Sequence, residues 1–155
     1  MSIDAVRSVL RDLGAGIGLP ELAPDDDGYC CLKIGEQITV SMQYESEEQN
    51  LVLFARLCAI DPVFREEAYE MLLAGNLFWA QTGGATLAVE PAGGEVMLQA
   101  KESTAALDLP RCNRMLQSFV DTGEAWIARL KPFAATPSET AEEPEYRLPA
   151  YVTLA

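Results

Sequence analysis

Residues 37–44 constrain the fold most. Ile38, Val40 and Met42 alternate with Gln37, Thr39, Ser41 and Gln43. Successive side chains of a strand point to opposite faces, so this pattern makes a strand with one buried and one polar face. Such a strand needs partners beside it and a layer over its apolar face. The chain offers both. Residues 29–34 precede it across the tight turn Gly35-Glu36. Residues 51–59 follow it across the polar turn 45–49, apolar except for Arg56, and read as a more central strand. Residues 86–90 and 95–101 flank Pro91-Ala92-Gly93-Gly94 as a second hairpin, with Leu87, Val89, Val96 and Leu98 on one face and Met97 on the other.

Three segments carry helical spacing instead. Ile3, Val6, Leu10, Leu13 and Ile17 recur at intervals of three and four behind Ser2 as N-cap, and Pro20 ends the run. Gly14, Gly16 and Gly18 follow a helix rather than a strand and have the wrong spacing for a dinucleotide loop. Asp25, Asp26 and Asp27 with Gly28 form a turn without the alternating ligands of a calcium loop. Asp61 caps a second helix with Pro62 in its first turn, and Glu66 and Glu67 suit the positive end of its dipole. Phe64, Ala68, Leu72, Gly75 and Trp79 would form its apolar stripe, widened by Met71, Leu73, Leu77 and Phe78. A helix so broadly apolar must be covered twice, and a second subunit can supply the outer cover. Asp108 caps a third helix, carrying Leu109, Cys112, Leu116, Phe119, Ile127 and Leu130 with Met115, Val120 and Trp126 alongside and ending before Lys131-Pro132. The order helix, three strands, helix, two strands, helix predicts an α+β domain with a mostly antiparallel sheet over residues 1–131. Residues 132–155 read as a flexible tail rich in Pro, Ser, Thr and Glu. Its end (Tyr146, Leu148, Tyr151, Val152, Leu154) turns apolar again and is expected to dock on the domain or on a partner.

Charge and composition narrow the function. Eleven Lys and Arg face 24 Asp and Glu in 155 residues, a net charge of −13. Such a surface repels nucleic acid and anionic membranes and favours a neutral or basic protein partner. The N-terminus lacks the basic start of a signal peptide, and no apolar run approaches the roughly 20 residues of a membrane span. A cytoplasmic protein is expected. Histidine is absent, which removes the commonest general base and metal ligand. Cys30, Cys31, Cys58 and Cys112 make no CxxC pair and read as small apolar residues, the alternative being a thiol enzyme acting through Cys30 or Cys31. The carboxylates of Glu45, Glu47 and Glu48, of Glu66 and Glu67, and of Glu142 and Glu143 read as solvated faces rather than acid–base pairs. Ser41, Ser46, Ser103 and Ser118 sit in no nucleophile elbow, and no phosphate-binding glycine loop occurs. No catalytic residue, cofactor or metal is expected.

Residues 71–79 (MLLAGNLFW), 82–90 (TGGATLAVE) and 94–99 (GEVMLQ) together resemble the class I chaperones of bacterial type III secretion, the Tir-chaperone family. The first helix ending in Gly18-Leu19-Pro20 and the aromatic Trp126 in the last helix fit the same pattern. The resemblance spans roughly residues 3–130; the tail lies outside it. It implies an acidic cytoplasmic homodimer without enzymatic activity. Such a dimer binds an extended N-terminal segment of a secreted effector, keeping it soluble and secretion-competent, with the ATPase of the export apparatus as a further candidate partner. On that basis Leu10, Leu13, Ile17, Leu32, Ile34, Ile38, Val40 and Met42 are candidates for the effector groove. Leu73, Leu77, Phe78, Trp79, Leu87, Val89 and Leu98 are candidates for the dimer interface. A regulator of the same fold, whose client controls transcription, is the first alternative, and a small-ligand carrier the second.

Overall fold

The helical spacing at the N-terminus and the alternation that follows it place an amphipathic helix against a sheet. The computed structural model, which describes residues 1–91 and 93–137, shows this arrangement. Helix α1 (Ile3–Gly16) starts where the Ser2 hydroxyl accepts a hydrogen bond from the Ala5 N–H at 3.3 Å, and it buries Val6, Leu10 and Leu13. It ends one residue earlier than the spacing suggests, because Ile17 leaves helical geometry as the C-cap.

Strands β1 (Tyr29–Ile34), β2 (Ile38–Glu45) and β3 (Asn50–Ala59) follow, then helix α2 (Arg65–Asn76), strands β4 (Thr86–Val89) and β5 (Glu95–Ser103), and helix α3 (Leu109–Leu130). The five strands form one sheet in the order β1-β2-β3-β5-β4, and every neighbouring pair is antiparallel. The α+β class and element order expected from the sequence are therefore present. One face of the sheet carries Ile38, Val40, Met42, Leu51, Leu53, Ala55, Leu57, Leu87, Val96 and Leu98, and these join α1 and α3 in a single core. The opposite face holds Phe54, Ser41 and Tyr29, whose hydroxyl lies 3.1 Å from that of Ser41.

Two glycines set how closely the helices approach. A Cβ on Gly75 of α2 would stand 2.4 Å from the Trp126 ring, and one on Gly123 of α3 would stand 2.4 Å from Ile38. Trp126 is 1% exposed, and its indole N–H donates to the Gln81 carbonyl at 2.9 Å. It wedges α3 against α2 and the loop after it.

The segment 61–79 departs from its expected form. Asp61 does cap it, accepting from the Val63 N–H at 2.9 Å, but residues Pro62–Phe64 form a 3-10 turn before α2 begins. Helix α2 stops at Asn76, and Phe78 and Trp79 then adopt left-handed backbone, each with φ of 54°. Ala68, Leu72 and Gly75 are buried as expected, whereas Phe64 and Trp79 leave that stripe for the surface. The chain after α3 returns to the sheet. Ala134 bridges Ile60, the Asp61 N–H donates to the Phe133 carbonyl at 2.9 Å, and the Ala135 N–H donates to the Ala59 carbonyl at 2.9 Å. Phe133 also meets Phe64 edge to face at 6.0 Å. The apolar end of the tail, residues 146–154, lies outside the described residues.

Overpacking at the helix crossing gives a direct test. Gly75→Ala is expected to destabilise the domain by about 1–3 kcal/mol, because its methyl must displace the buried Trp126 ring. Urea unfolding followed by tryptophan fluorescence measures it.

Candidate functional site

A sheet of five strands has two edges, and this chain treats them differently. Outside β4, the side chain of Asn76 acts as a one-residue strand. Its amide N–H donates to the Leu87 carbonyl at 2.9 Å, and its amide oxygen accepts from the Leu87 N–H at 2.9 Å. Both edge groups of Leu87 are thereby satisfied, and β4 is closed to strand addition at that point. At β1, among the described residues, the closure covers one end alone. The Tyr29 N–H donates to the Asp25 carboxylate at 3.0 Å, and the Tyr29 carbonyl accepts from the Asp25 N–H at 2.8 Å. Tyr29 thus faces away from β2, and the antiparallel alternation makes Cys31 and Lys33 face the same way. Their side chains are exposed, and their backbone groups point out from the sheet. This is an edge able to accept another strand.

Beside that edge runs a cleft of about 310 Å³. Ile17 and Leu19 after α1, Ile34 of β1, and Leu116 and Val120 of α3 give it apolar walls, and Lys33, Asn113 and Gln117 add polar lining. An extended chain added to β1 would direct alternate side chains toward this cleft.

The second surface is an apolar knuckle. Leu73, Leu77, Phe78 and Trp79 are 73%, 62%, 83% and 58% exposed. The two left-handed residues turn both rings outward, and Asn76 anchors the base of the turn to β4. Left-handed backbone at a bulky residue costs of order 1–3 kcal/mol and persists only where its surroundings hold it.

The residues expected at these surfaces divide sharply. Among the groove candidates, Leu10, Leu13, Leu32, Ile38, Val40 and Met42 are at most 3% exposed and belong to the chain's own core. They support the cleft from below rather than line it. Ile17 and Ile34 do line it. Among the interface candidates, Leu87 and Leu98 are core residues, since both project to the helix-covered face of the sheet. Val89 is half-buried against that core. Leu73, Leu77, Phe78 and Trp79 stand together on the surface. Sequence reasoning missed Leu19, Leu116 and Val120 as cleft residues, and Asn76 as the seal. The helical period assigned Leu116 and Val120 to a buried stripe without separating cleft from core.

The thiols favour a packing role. Burial pushes Cys30 up to about 12, helped by Cys31, Asp25 and Cys112. Burial likewise raises Cys58 to about 11, with Glu95 adding to it and Arg56 opposing, and raises Cys112 to about 11. All three are neutral near pH 7 and poor nucleophiles. Cys31 alone is exposed among the four.

Residues 8–127 match the Tir chaperone protein (CesT) family, and the chain belongs to that family of type III secretion chaperones. A Chlamydia pneumoniae protein is 31% identical over 127 residues, covering 81% of this chain and 95% of that one. A chain of the ExsC–ExsE complex superimposes with a TM-score of 0.71 at 25% identity, covering 81% of this chain and 93% of that one. A chain of the HopA1–SchA chaperone–effector complex shares the fold at 19% identity, with a TM-score of 0.67 and coverage of 79% and 93%. Among the described residues, no helix is long and apolar enough to cross a membrane.

Two outcomes follow from the site geometry. Asn76→Ala leaves the Leu87 N–H and carbonyl without their partner and is expected to lower stability by about 1–3 kcal/mol in thermal or urea unfolding. Cys31 should be alkylated by iodoacetamide at pH 8 well before Cys30, Cys58 and Cys112, as read by mass spectrometry. These three thiols titrate above their ordinary 9.0 in the fold, so they favour the folded state below pH 9. That contribution is lost as pH rises from 9 through 11 to 12, because the unfolded chain then ionises first.

Proposed function

We propose that this protein is a non-enzymatic chaperone dimer that binds an extended N-terminal segment of a secreted effector, keeping it soluble and competent for export. The observation that carries this reading is the open edge of β1 beside an apolar cleft. Main-chain pairing at Cys31 and Lys33 gives affinity for any extended chain, and the cleft selects apolar side chains at alternate positions. Family membership supports the same reading, as do the complexes in which the structural neighbours occur. An edge of this kind also invites aggregation, and the net charge of −13 opposes edge-to-edge association of dimers while drawing in a basic unfolded client.

The knuckle is the proposed homodimer contact. Leu73, Leu77, Phe78 and Trp79 form a contiguous exposed apolar surface of the kind that marks interfaces. Docking two copies would leave both β1 edges free, since the knuckle adjoins β4 at the other end of the sheet. The bound dimer would then meet the export-apparatus ATPase with its client in place. A cytoplasmic site of action follows from this role.

The test of the client reading is native affinity capture from the source bacterium under secretion-inducing conditions. The expected result is one or more secreted proteins held through N-terminal segments, near one per dimer. Recovery of the bare dimer would contradict it. For the dimer, Phe78→Asp is expected to convert the protein to a monomer by light scattering while circular dichroism stays unchanged, because Phe78 is 83% exposed.

A further inference from the structure

The open edge of β1 has a candidate occupant within the chain itself. Residues 146–154 read Tyr-Arg-Leu-Pro-Ala-Tyr-Val-Thr-Leu, with Tyr146, Leu148, Ala150, Val152 and Leu154 in strict alternation. That is the pattern of a strand with one apolar face. Pro149 falls on the other parity, so a strand that pairs through Leu148, Ala150 and Val152 turns the missing N–H of Pro149 to solvent, the position a sheet edge tolerates.

The path to β1 is short. Residues 133–135 are hydrogen-bonded to the C-terminal end of β3, at Ala59 and Asp61. The register Ser41 to Phe54 carries the start of β2 toward that same end, and Ile38 pairs with Ile34 of β1. The chain therefore leaves the described fold at the end of the sheet where Ile34 and the cleft lie. β1 is two strands from β3, about 10 Å across the sheet. The acidic link of residues 138–145 can span up to about 28 Å.

We propose that residues 146–154 add as a sixth strand to the free edge of β1, with their apolar face over the cleft of Ile17, Leu19, Ile34, Leu116 and Val120. The segment then protects the edge when no client is bound and is displaced when one arrives. That consequence for clients rests on the proposed function; the docking itself does not. A short flexible tether holds a segment at about millimolar effective concentration. A segment that binds in trans with a dissociation constant of about 0.1 mM is then docked roughly nine-tenths of the time, and exchange at the edge slows about tenfold.

Amide hydrogen exchange by NMR on client-free protein tests this, comparing the full chain with one ending at Pro137. The expected result is about tenfold slower exchange of the Cys31 and Lys33 amides in the full chain. The double variant Leu148→Asp/Val152→Asp, which lies outside the described fold, should restore the rates of the shortened chain. Equal rates in the two chains would overturn the proposal, as would protection that survives the double variant. Protection that grows with protein concentration would place a second copy on the edge and overturn it equally. Because no client is present, failure here leaves the client reading standing. A client that binds without touching β1 would instead remove that reading and leave the docking intact.

Discussion

Two hydrogen bonds from one amide side chain organise much of this surface. Asn76, the last residue of α2, pairs with both backbone groups of Leu87, tying the start of the following turn to β4 and covering the β4 edge at that residue. That turn puts Phe78 and Trp79 in left-handed backbone with their rings in solvent. Among the described residues, Cys31 and Lys33 of β1 have no comparable cover. A sheet must satisfy or protect its edge groups, and here the two edges are treated unequally.

The core makes this division possible. The helices cover one face of the sheet, and Gly75 and Gly123 let α2 and α3 pack closely against Trp126 and Ile38. Nearly all large apolar side chains of the strands are used there. Among the described residues, the large apolar side chains left exposed lie in the knuckle, at Ile17 and Leu19 beside the cleft, and at Val63 and Phe64 before α2. Three of the four thiols, buried Cys30 and Cys112 and half-buried Cys58, are held neutral near pH 7.

Local features of the sequence carried the fold far. The spacing of Val6, Leu10 and Leu13, the alternation through Ile38, Val40 and Met42, and the caps at Ser2, Asp61 and Asp108 each mark a real element. These signals act within one turn of helix or a few strand residues, so they survive folding unchanged. The site was less legible. Alternation says that Val40 is buried but not whether its cover is α3 or a client, which is how core residues came to be expected in the groove. Helical period extended α2 through Trp79 because the competing bonds join residues eleven apart in sequence, Asn76 and Leu87. Left-handed backbone at Phe78 and Trp79 has no sequence signal, since glycine or asparagine would ordinarily stand there. The return of residues 133–135 to β3 is likewise a long-range pairing with no local mark.

The most direct test of the central claim uses the natural thiol on the open edge. Cys31 is exposed in the middle of β1 and can carry a photo-activated cross-linker through its sulfur. With a captured client bound to the full-length protein, illumination should join Cys31 to the N-terminal segment of that client, in consecutive residues of an extended chain. A client that stays bound yet cross-links only to probes placed at residues 77–79 would contradict the account.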